Sequence, residues 1–476
     1  MSFARYPLLV GCLFSLFVPQ VSAVAPRLGP GPRSFVKQLS IQNSNGNIES
    51  HPFHADLGKD GAPSSESSGA SQKQAYSLSA EKLAKAIALG RIRNLLDLGG
   101  SLWGLAVIWL LLATRAASGL ECLMQRISHW RWLHGLLFFS AVLLIKTLAD
   151  LPLEIYAHHV SRSYGISVEG WAAWLIDLGK GLGFTILFGP PILLFFNWIV
   201  RWSPRRFWLW AWLVTIPLML LATFAEPLAE PIFNQYEPLA QNHPGLVAEL
   251  QKVVARTGTN IPADRMFLMK ASAKSNGLNA YVSGIGVTKR IVVWDTTAGR
   301  VPDDEVMFLF GHETGHYVLN HIPKGLAAGA VGIFFLYWAC AGIARRLARR
   351  YGARWGLAGR HDGASVLSTR AGFLVLIFVL LAADFVTSPV SNGVSRHFEH
   401  QADIYGQEAI HGLVPDPQKT TVAAFNTLGE AWLEDPHPNA FIEFWSDTHP
   451  STQRRATFAA HYDPWANGGH GEFFDK

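Results

Sequence analysis

Residues 310–321 read FGHETGHYVLNH. His312 and His316 are four apart, so on a helix they share one face and can hold one metal ion between them. Glu313 lies beside them, placed to act as general base toward a water that a zinc ion would activate. The preceding stretch, VPDDEVMFLF, supports a helix. Asp303 or Asp304 can cap its N-terminus, and their charge suits the positive end of the helix dipole. Apolar Val306, Met307, Leu309 and Phe310 follow. A zinc-protease helix is therefore expected here, and the rest of the chain must supply a third ligand and a place for a peptide.

The composition says where such a site would sit. The chain has 476 residues, 49% hydrophobic and only 16% charged, with 17 Trp and 29 Phe. So little charge and so many aromatics suit a membrane protein with aromatic belts. The formal charge of +5 does not argue for a nucleic-acid partner, because the arginines cluster in short loops beside apolar runs, as membrane topology requires. The three cysteines, Cys12, Cys122 and Cys340, show no paired spacing and imply neither a disulfide framework nor a cysteine zinc site.

The N-terminus reads MSFARYPLLVGCLFSLFVPQVSAVAP. Arg5, the apolar run after it and Val21-Ser22-Ala23 resemble a secretory signal peptide, residues 1–23; a retained first membrane helix is the alternative. Residues 24–76, rich in Ser, Gly, Asn and Pro, read as a disordered linker. Apolar stretches of spanning length follow near 98–114, 133–155, 171–200, 207–225, 325–344 and 371–391. Residues 77–225 thus form an N-terminal membrane-helix domain. Residues 226–476 form a metalloprotease domain that includes the last two spans. The expected fold is mainly α, a multi-helix transmembrane bundle with a zincin-like α+β metalloprotease domain. Lys146, Asp150, Glu154, Asp177 and Lys180 fall within apolar helices, where they either pair with one another or line a water-filled cavity.

After the sixth apolar run comes SRHFEHQADIYG, residues 395–406. Glu399 and Asp403 are four apart, again on one helical face. Glu399 can supply the third ligand and leave one position open, while Asp403 can hold a ligating histidine from behind. His397 and His400 are rival ligands by type, and local sequence does not choose among them.

The ordered set of segments resembles the integral-membrane zinc metalloproteases of the CAAX prenyl protease type 1 family. AYSLSAEKLAKAIALGRIRNLL, YGISVEGWAAWLIDLGKG, EPIFNQYEPL, SNGLNAYVSGIGVTKRIVVWDT, HETGH, SRHFEHQAD and HPSTQRR occur in the family's order over about residues 75–460. The resemblance implies one zinc ion per chain on His312, His316 and Glu399, a water activated by Glu313, and Asp403 as proton donor or partner of a ligand. Asn279, Ala280 and Tyr281 match a strand edge that pairs with substrate backbone. The β-branched run IGVTKRIVVWD agrees with such an edge. His449 and Arg455 match a late His and Arg near the scissile carbonyl, where cationic or hydrogen-bonding groups stabilise an oxyanion.

The topology departs from the family's usual form. If residues 24–97 are exported, the loops 115–132, 201–206 and 345–370 lie in the cytoplasm. They carry Arg115, Arg126, Arg131, Arg201, Arg205, Arg206, Arg345, Arg346, Arg349, Arg350, Arg354, Arg360 and Arg370, against Arg162 and Glu169 in loop 156–170. Lys82, Lys85, Arg91 and Arg93, just before the first span, disagree. On balance the zinc domain of a bacterial inner-membrane protein is expected to face the periplasm, or the lumen in a eukaryote. Prenylated C-termini arise in the cytosol, so the expected activity is endopeptidase cleavage of extended peptide or membrane-protein segments. The alternatives are a cytosol-facing CAAX prenyl protease, a site-2 type intramembrane protease, and a non-catalytic scaffold or lipid-binding protein. The polar surroundings of the motif argue against the second, and an intact Glu313 argues against the third.

Overall fold

The computed structural model of the chain describes residues 75–474, apart from 285–288, 358–361, 467 and the side chains of 223–228. The signal-like segment 1–23 and nearly all of the expected linker 24–76 lie outside the described residues. The last linker position does not: Tyr76 is fully buried, its ring packed on Gly429 and its hydroxyl donating to the Glu434 carbonyl. An aromatic wedge fills the space that glycine leaves open, and this anchors the chain just ahead of the first long helix.

Among the described residues, five helices are long and apolar enough to cross a membrane: Ala80–Ala113, Arg131–Ser163, Trp171–Trp202, His321–Tyr351 and Arg370–Ile410. The remaining apolar run lies in helix Phe207–Phe233, whose stretch Phe207–Ala222 is apolar but shorter. Phe138, Phe139 and Phe373 meet edge to face at 5.3 and 5.8 Å, binding the second and last of these helices into one core with Tyr337 and Leu374. Large apolar side chains outside that core, among them Trp109, Leu187, Trp198 and Phe335, remain exposed, as lipid-facing surface should.

The connections sort to two ends. At one, Arg115 Nε donates to the Arg354 carbonyl, Arg345 to the Arg205 carbonyl, and the Arg370 main-chain N–H to Glu121, at 3.1, 3.1 and 3.2 Å. This gathers the turns after the first, third and fourth spanning helices with the start of the fifth. At the other end, the Val168 N–H and Ser167 hydroxyl both donate to the Lys274 carbonyl, so loop 164–170 touches the polar part of the chain. Of the ions within helices, Lys146 pairs with Asp150, and Asp177 receives Lys180 at 2.9 Å and Lys274 at 2.6 Å. These four groups therefore pair with one another or, for Asp177, also with Lys274.

The polar part is built on a four-stranded sheet in the order β1 (Tyr236–Pro238), β2 (Met266–Met269), β4 (Arg290–Trp294), β3 (Ala280–Ser283). β2 and β4 are parallel and the other two pairs antiparallel, which leaves β3 at one edge among the described residues. The motif helix, Asp303–Val318, packs on β3 and on the long helix Arg370–Ile410. Its N-cap position is Pro302, not an aspartate. Asp303, Asp304 and Glu305 occupy the first turn, where their charge still faces the positive end of the dipole, and Asp304 accepts from the Thr420 hydroxyl. Phe308, Phe310, Phe425, Leu250 and Val293 fill the core between sheet and helices.

The motif helix and the Arg370–Ile410 helix approach so closely that only glycines fit between them. A Cβ on Gly406 would stand 2.8 Å from the His312 nitrogen, and one on Gly311 3.1 Å from the Gly406 carbonyl. Backbone cannot retreat as a side-chain tip can, so Gly406→Val is expected to destabilise the protein by about 1–3 kcal/mol or more. Thermal unfolding in detergent measures this; an unchanged melting temperature would contradict the packing.

Candidate active site

Helical periodicity brings His312, Glu313 and His316 to the buried face of the motif helix, and the Gly311–Gly406 contact brings Glu399 opposite them. The two imidazoles present their Nε2 atoms to each other at 3.2 Å. The Glu399 carboxylate stands 3.3 Å from His312 Nε2 and 3.6 Å from His316 Nε2. All three residues are at most 1% exposed. Two imidazole lone pairs and a carboxylate converging in a dry interior repel one another unless a cation lies between them. Metal–ligand bonds of about 2.0–2.1 Å in a tetrahedron put ligand atoms about 3.3 Å apart, which these separations match. The donor set therefore fits one metal ion with a position left open, and it is the one such group among the described residues. His397 and His400 are exposed, with the His400 ring packed on Phe458 at 4.5 Å, and neither belongs to this group.

Glu313 is 2% exposed, and neither of its carboxylate oxygens meets a hydrogen-bond partner among the described residues. Burial pushes its carboxyl above the ordinary range, against the opposing pull of His312. A carboxylate held ready beside a metal position, with a raised proton affinity, is suited to general-base work.

The residues behind the ligands are equally specific. His312 Nδ1 lies 2.9 Å from Asp403 Oδ1. Asp403 in turn accepts a two-pronged contact from Arg455, Nε to Oδ2 at 2.8 Å and Nη2 to Oδ1 at 2.6 Å. That guanidinium, expected from sequence near the scissile carbonyl, directs its bonds at Asp403; it stacks over the Phe425 ring at 4.5 Å and reaches Glu399 Oε2 only at 4.0 Å. His449 lies nearer the metal position, its Nε2 3.1 Å from Glu399 Oε2 and its Nδ1 2.7 Å from the Thr448 hydroxyl.

Asn279, Ala280 and Tyr281 enter the edge strand. The Asn279 main chain is fixed on both sides: its N–H donates to Thr297 Oγ1 and its carbonyl accepts from that hydroxyl and from the Trp294 N–H. Its side-chain amide nitrogen is buried without a hydrogen-bond partner among the described residues. Tyr281 turns its hydroxyl toward Tyr236 and Glu230, leaving its backbone, not its ring, at the strand edge.

Three residues that sequence inspection passed over also support the site. Trp432 donates its indole N–H to the Leu278 carbonyl and lies against Gly277, bracing the approach to the edge strand. His321 Nδ1 lies 3.0 Å from His316 Nδ1, and His321 Nε2 lies 3.0 Å from Gln401 Oε1. His321 follows Asn320, whose left-handed backbone (φ 56°) separates the two helices. An Asn-His pair just past the motif was the available signal.

Residues 240–463 match peptidase family M48, and residues 65–235 match the CAAX prenyl protease N-terminal region with five membrane helices. The uncharacterized metalloprotease YhfN of Bacillus subtilis is 33% identical over 370 residues, covering 75% of this chain and 81% of that protein. A CAAX prenyl protease 1 homolog of Oryza sativa is 26% identical over 64% of this chain and 70% of its own length. The crystal structure of Saccharomyces mikatae Ste24p superposes with a TM-score of 0.67 at 21% identity, over 81% of this chain and 90% of that one; this likeness concerns the fold.

Breaking a buried ion pair by removing one partner costs about 3–5 kcal/mol, because the other charge is left behind. Arg455→Met should therefore lower the melting temperature strongly, and adding Asp403→Asn should recover part of the loss. Strictly additive losses in that double-mutant cycle would contradict the pairing.

Proposed function

Because this chain belongs to peptidase family M48, within the membrane-embedded metalloproteases of the CAAX prenyl protease type 1 group, we propose that it is a zinc-dependent endopeptidase acting on extended peptide or membrane-protein segments. The observation that carries this is the convergence of the His312, His316 and Glu399 ligand atoms, with tetrahedral-edge spacing, beside the unpartnered Glu313 carboxylate. Residues 77–225 serve as the membrane-helix domain, and residues 226–476 as the protease domain with two membrane helices of its own.

Two imidazoles and a carboxylate with an open fourth position are the ligand set of a catalytic zinc. Zinc held there supplies a Lewis acid that polarises the scissile carbonyl and makes water acidic enough to be deprotonated near neutral pH. Glu313 accepts the proton of the attacking water and returns it to the leaving amine. His449, beside Glu399 at the rim of the metal position, donates toward the developing oxyanion. Asp403 holds the His312 ring with Nδ1 protonated, and Arg455 holds Asp403. An extended substrate adds to the free side of β3 at Ala280 and Tyr281, with the buried Asn279 amide available to a substrate carbonyl. A folded domain has no free strand to offer, which restricts cleavage to unfolded or extended segments.

The Arg-rich connections lie together at the end of the bundle away from the metal position, which supports a zinc domain outside the cytoplasm, facing the periplasm if the membrane is a bacterial inner membrane. The basic residues in the N-terminal half of helix Ala80–Ala113, which argue otherwise, are partly engaged by the fold. Lys82 pairs with Glu430, Lys85 with Glu81, and Arg93 donates to the Trp432 carbonyl. Processing of CAAX C-termini, the activity in the relatives' names, requires the opposite orientation.

Purified protein should carry about one zinc per chain, and Glu313→Gln should keep that zinc while losing at least ~10²-fold in cleavage of an unfolded substrate. Equal, slow cleavage by both proteins would defeat the enzyme assignment. For orientation, single cysteines at Ala353 and His461, in a chain freed of Cys12, Cys122 and Cys340, can be labelled in intact cells with an impermeant thiol reagent. Labelling at 461 but not 353 is expected. The reverse would restore a cytosol-facing CAAX protease.

A further inference from the structure

Asp403 accounts for one of the two histidines of the motif. The other has a different partner, and it comes from neither the motif nor a carboxylate. His316 is 1% exposed and His321 is fully buried, and their Nδ1 atoms are 3.0 Å apart. The His321 ring lies flat on Phe398, with centroids 4.4 Å apart and planes at 7°. Its far nitrogen meets Gln401 Oε1 at 3.0 Å. Phe398 and Gln401 flank Glu399 on the same helix, so one turn supplies the third ligand and the two residues that hold His321.

The proton positions along this chain follow from its ends. If His316 offers the Nε2 lone pair to a metal, its proton must sit on Nδ1. That N–H lies 3.0 Å from His321 Nδ1, which must be a bare acceptor to receive it. The proton of His321 therefore sits on Nε2 and is donated to the Gln401 carboxamide oxygen. Each of the four ring nitrogens then has one role, and one tautomer of each ring satisfies all three contacts.

We propose that His321, fixed by Gln401, is a positioning residue that locks His316 in its metal-binding tautomer and orientation. The proposal rests on His316 being a zinc ligand, as argued above. It makes the two histidines unequal. His312 is backed by a carboxylate that an arginine holds, and His316 by a neutral imidazole that a carboxamide holds. The left-handed Asn320 is what allows this, because it redirects the chain so that the first residue of the next helix folds back on the motif.

Partners of this kind typically govern metal affinity by about 10–100-fold. Zinc affinity of the full-length protein in detergent can be measured by competition with a chromophoric chelator, alongside the melting temperature of the metal-free form and the absorption spectrum of the Co2+ form. His321→Phe keeps the ring on Phe398 and removes the acceptor; it should lower zinc affinity by about 10–100-fold and shift the Co2+ spectrum. His321→Asn returns an acceptor near the Nδ1 position and should recover most of the affinity. Wild-type affinity in His321→Phe, or equal loss in the Phe and Asn variants, would overturn the proposal, the latter by making the role one of packing. If His321→Phe does not fold, Gln401→Leu decides: a fall in affinity supports the relay, and wild-type affinity overturns it. His316→Ala separates the two levels of the argument. If that change leaves zinc affinity intact, the ligand assignment itself fails; if it abolishes binding while His321→Phe has no effect, only the relay fails.

Discussion

The site depends on how close two helices can come. Gly311 and Gly406 remove the side chains that would hold the motif helix and the Arg370–Ile410 helix apart, and their backbones touch. The distances across the two helices follow from that approach. Wider spacing would leave Glu399 short of the two histidines, and would separate His312 from Asp403 and His321 from Gln401 in the same motion. Three pairs of residues that look independent in sequence thus share one spacing.

The consequence is a buried polar cluster that is costly unless complete. Asp403 is tolerable in the interior because Arg455 contacts it with two nitrogens, and Arg455 is tolerable because Phe425 and Asp403 surround it. Glu313 is buried with neither oxygen hydrogen-bonded among the described residues, and a carboxylate without a structural partner is one left free to react. Around this cluster the supports reach outward. Arg93, on the first membrane helix, donates to the end of the helix that carries Trp432, and Trp432 braces the chain entering β3. The proposed substrate edge is thereby tied to the membrane bundle as well as to its own sheet.

Much of this was legible from residue spacing. Hydropathy located the long helices because a span must be apolar over its whole length, and the i, i+4 pairs 312/316 and 399/403 identified two faces. Spacing could not say that those faces meet, since His397 and His400 were chemically equal rivals for Glu399; burial separates them, and burial is a property of the fold. The aspartates expected to cap the motif helix are its first two residues instead, because Pro302 takes the boundary. Arg455 could be placed near the site from its motif, but its partner could not, because Asp403 lies 52 residues away. His321 escaped notice for a simpler reason. Helical periodicity stops at Asn320, and the contact exists only because the backbone there turns left-handed.

The helix that carries Glu399 begins at Arg370 and runs unbroken for 41 residues, about 60 Å at helical rise. Its first turn is tethered at the Arg-rich end, where Arg370 and Ala371 donate to Glu121 and the Arg370 side chain to the Arg131 carbonyl. Its last turns hold Glu399, Gln401 and Asp403. One end of this rod is therefore moored at the Arg-rich end of the bundle and the other carries the Glu399 carboxylate, with Pro389, ten residues before Glu399, as the place where the rod can flex. The position of Glu399 is thus set over a long lever, by anchors about 30 residues away in the chain as well as by the glycine contact beside it.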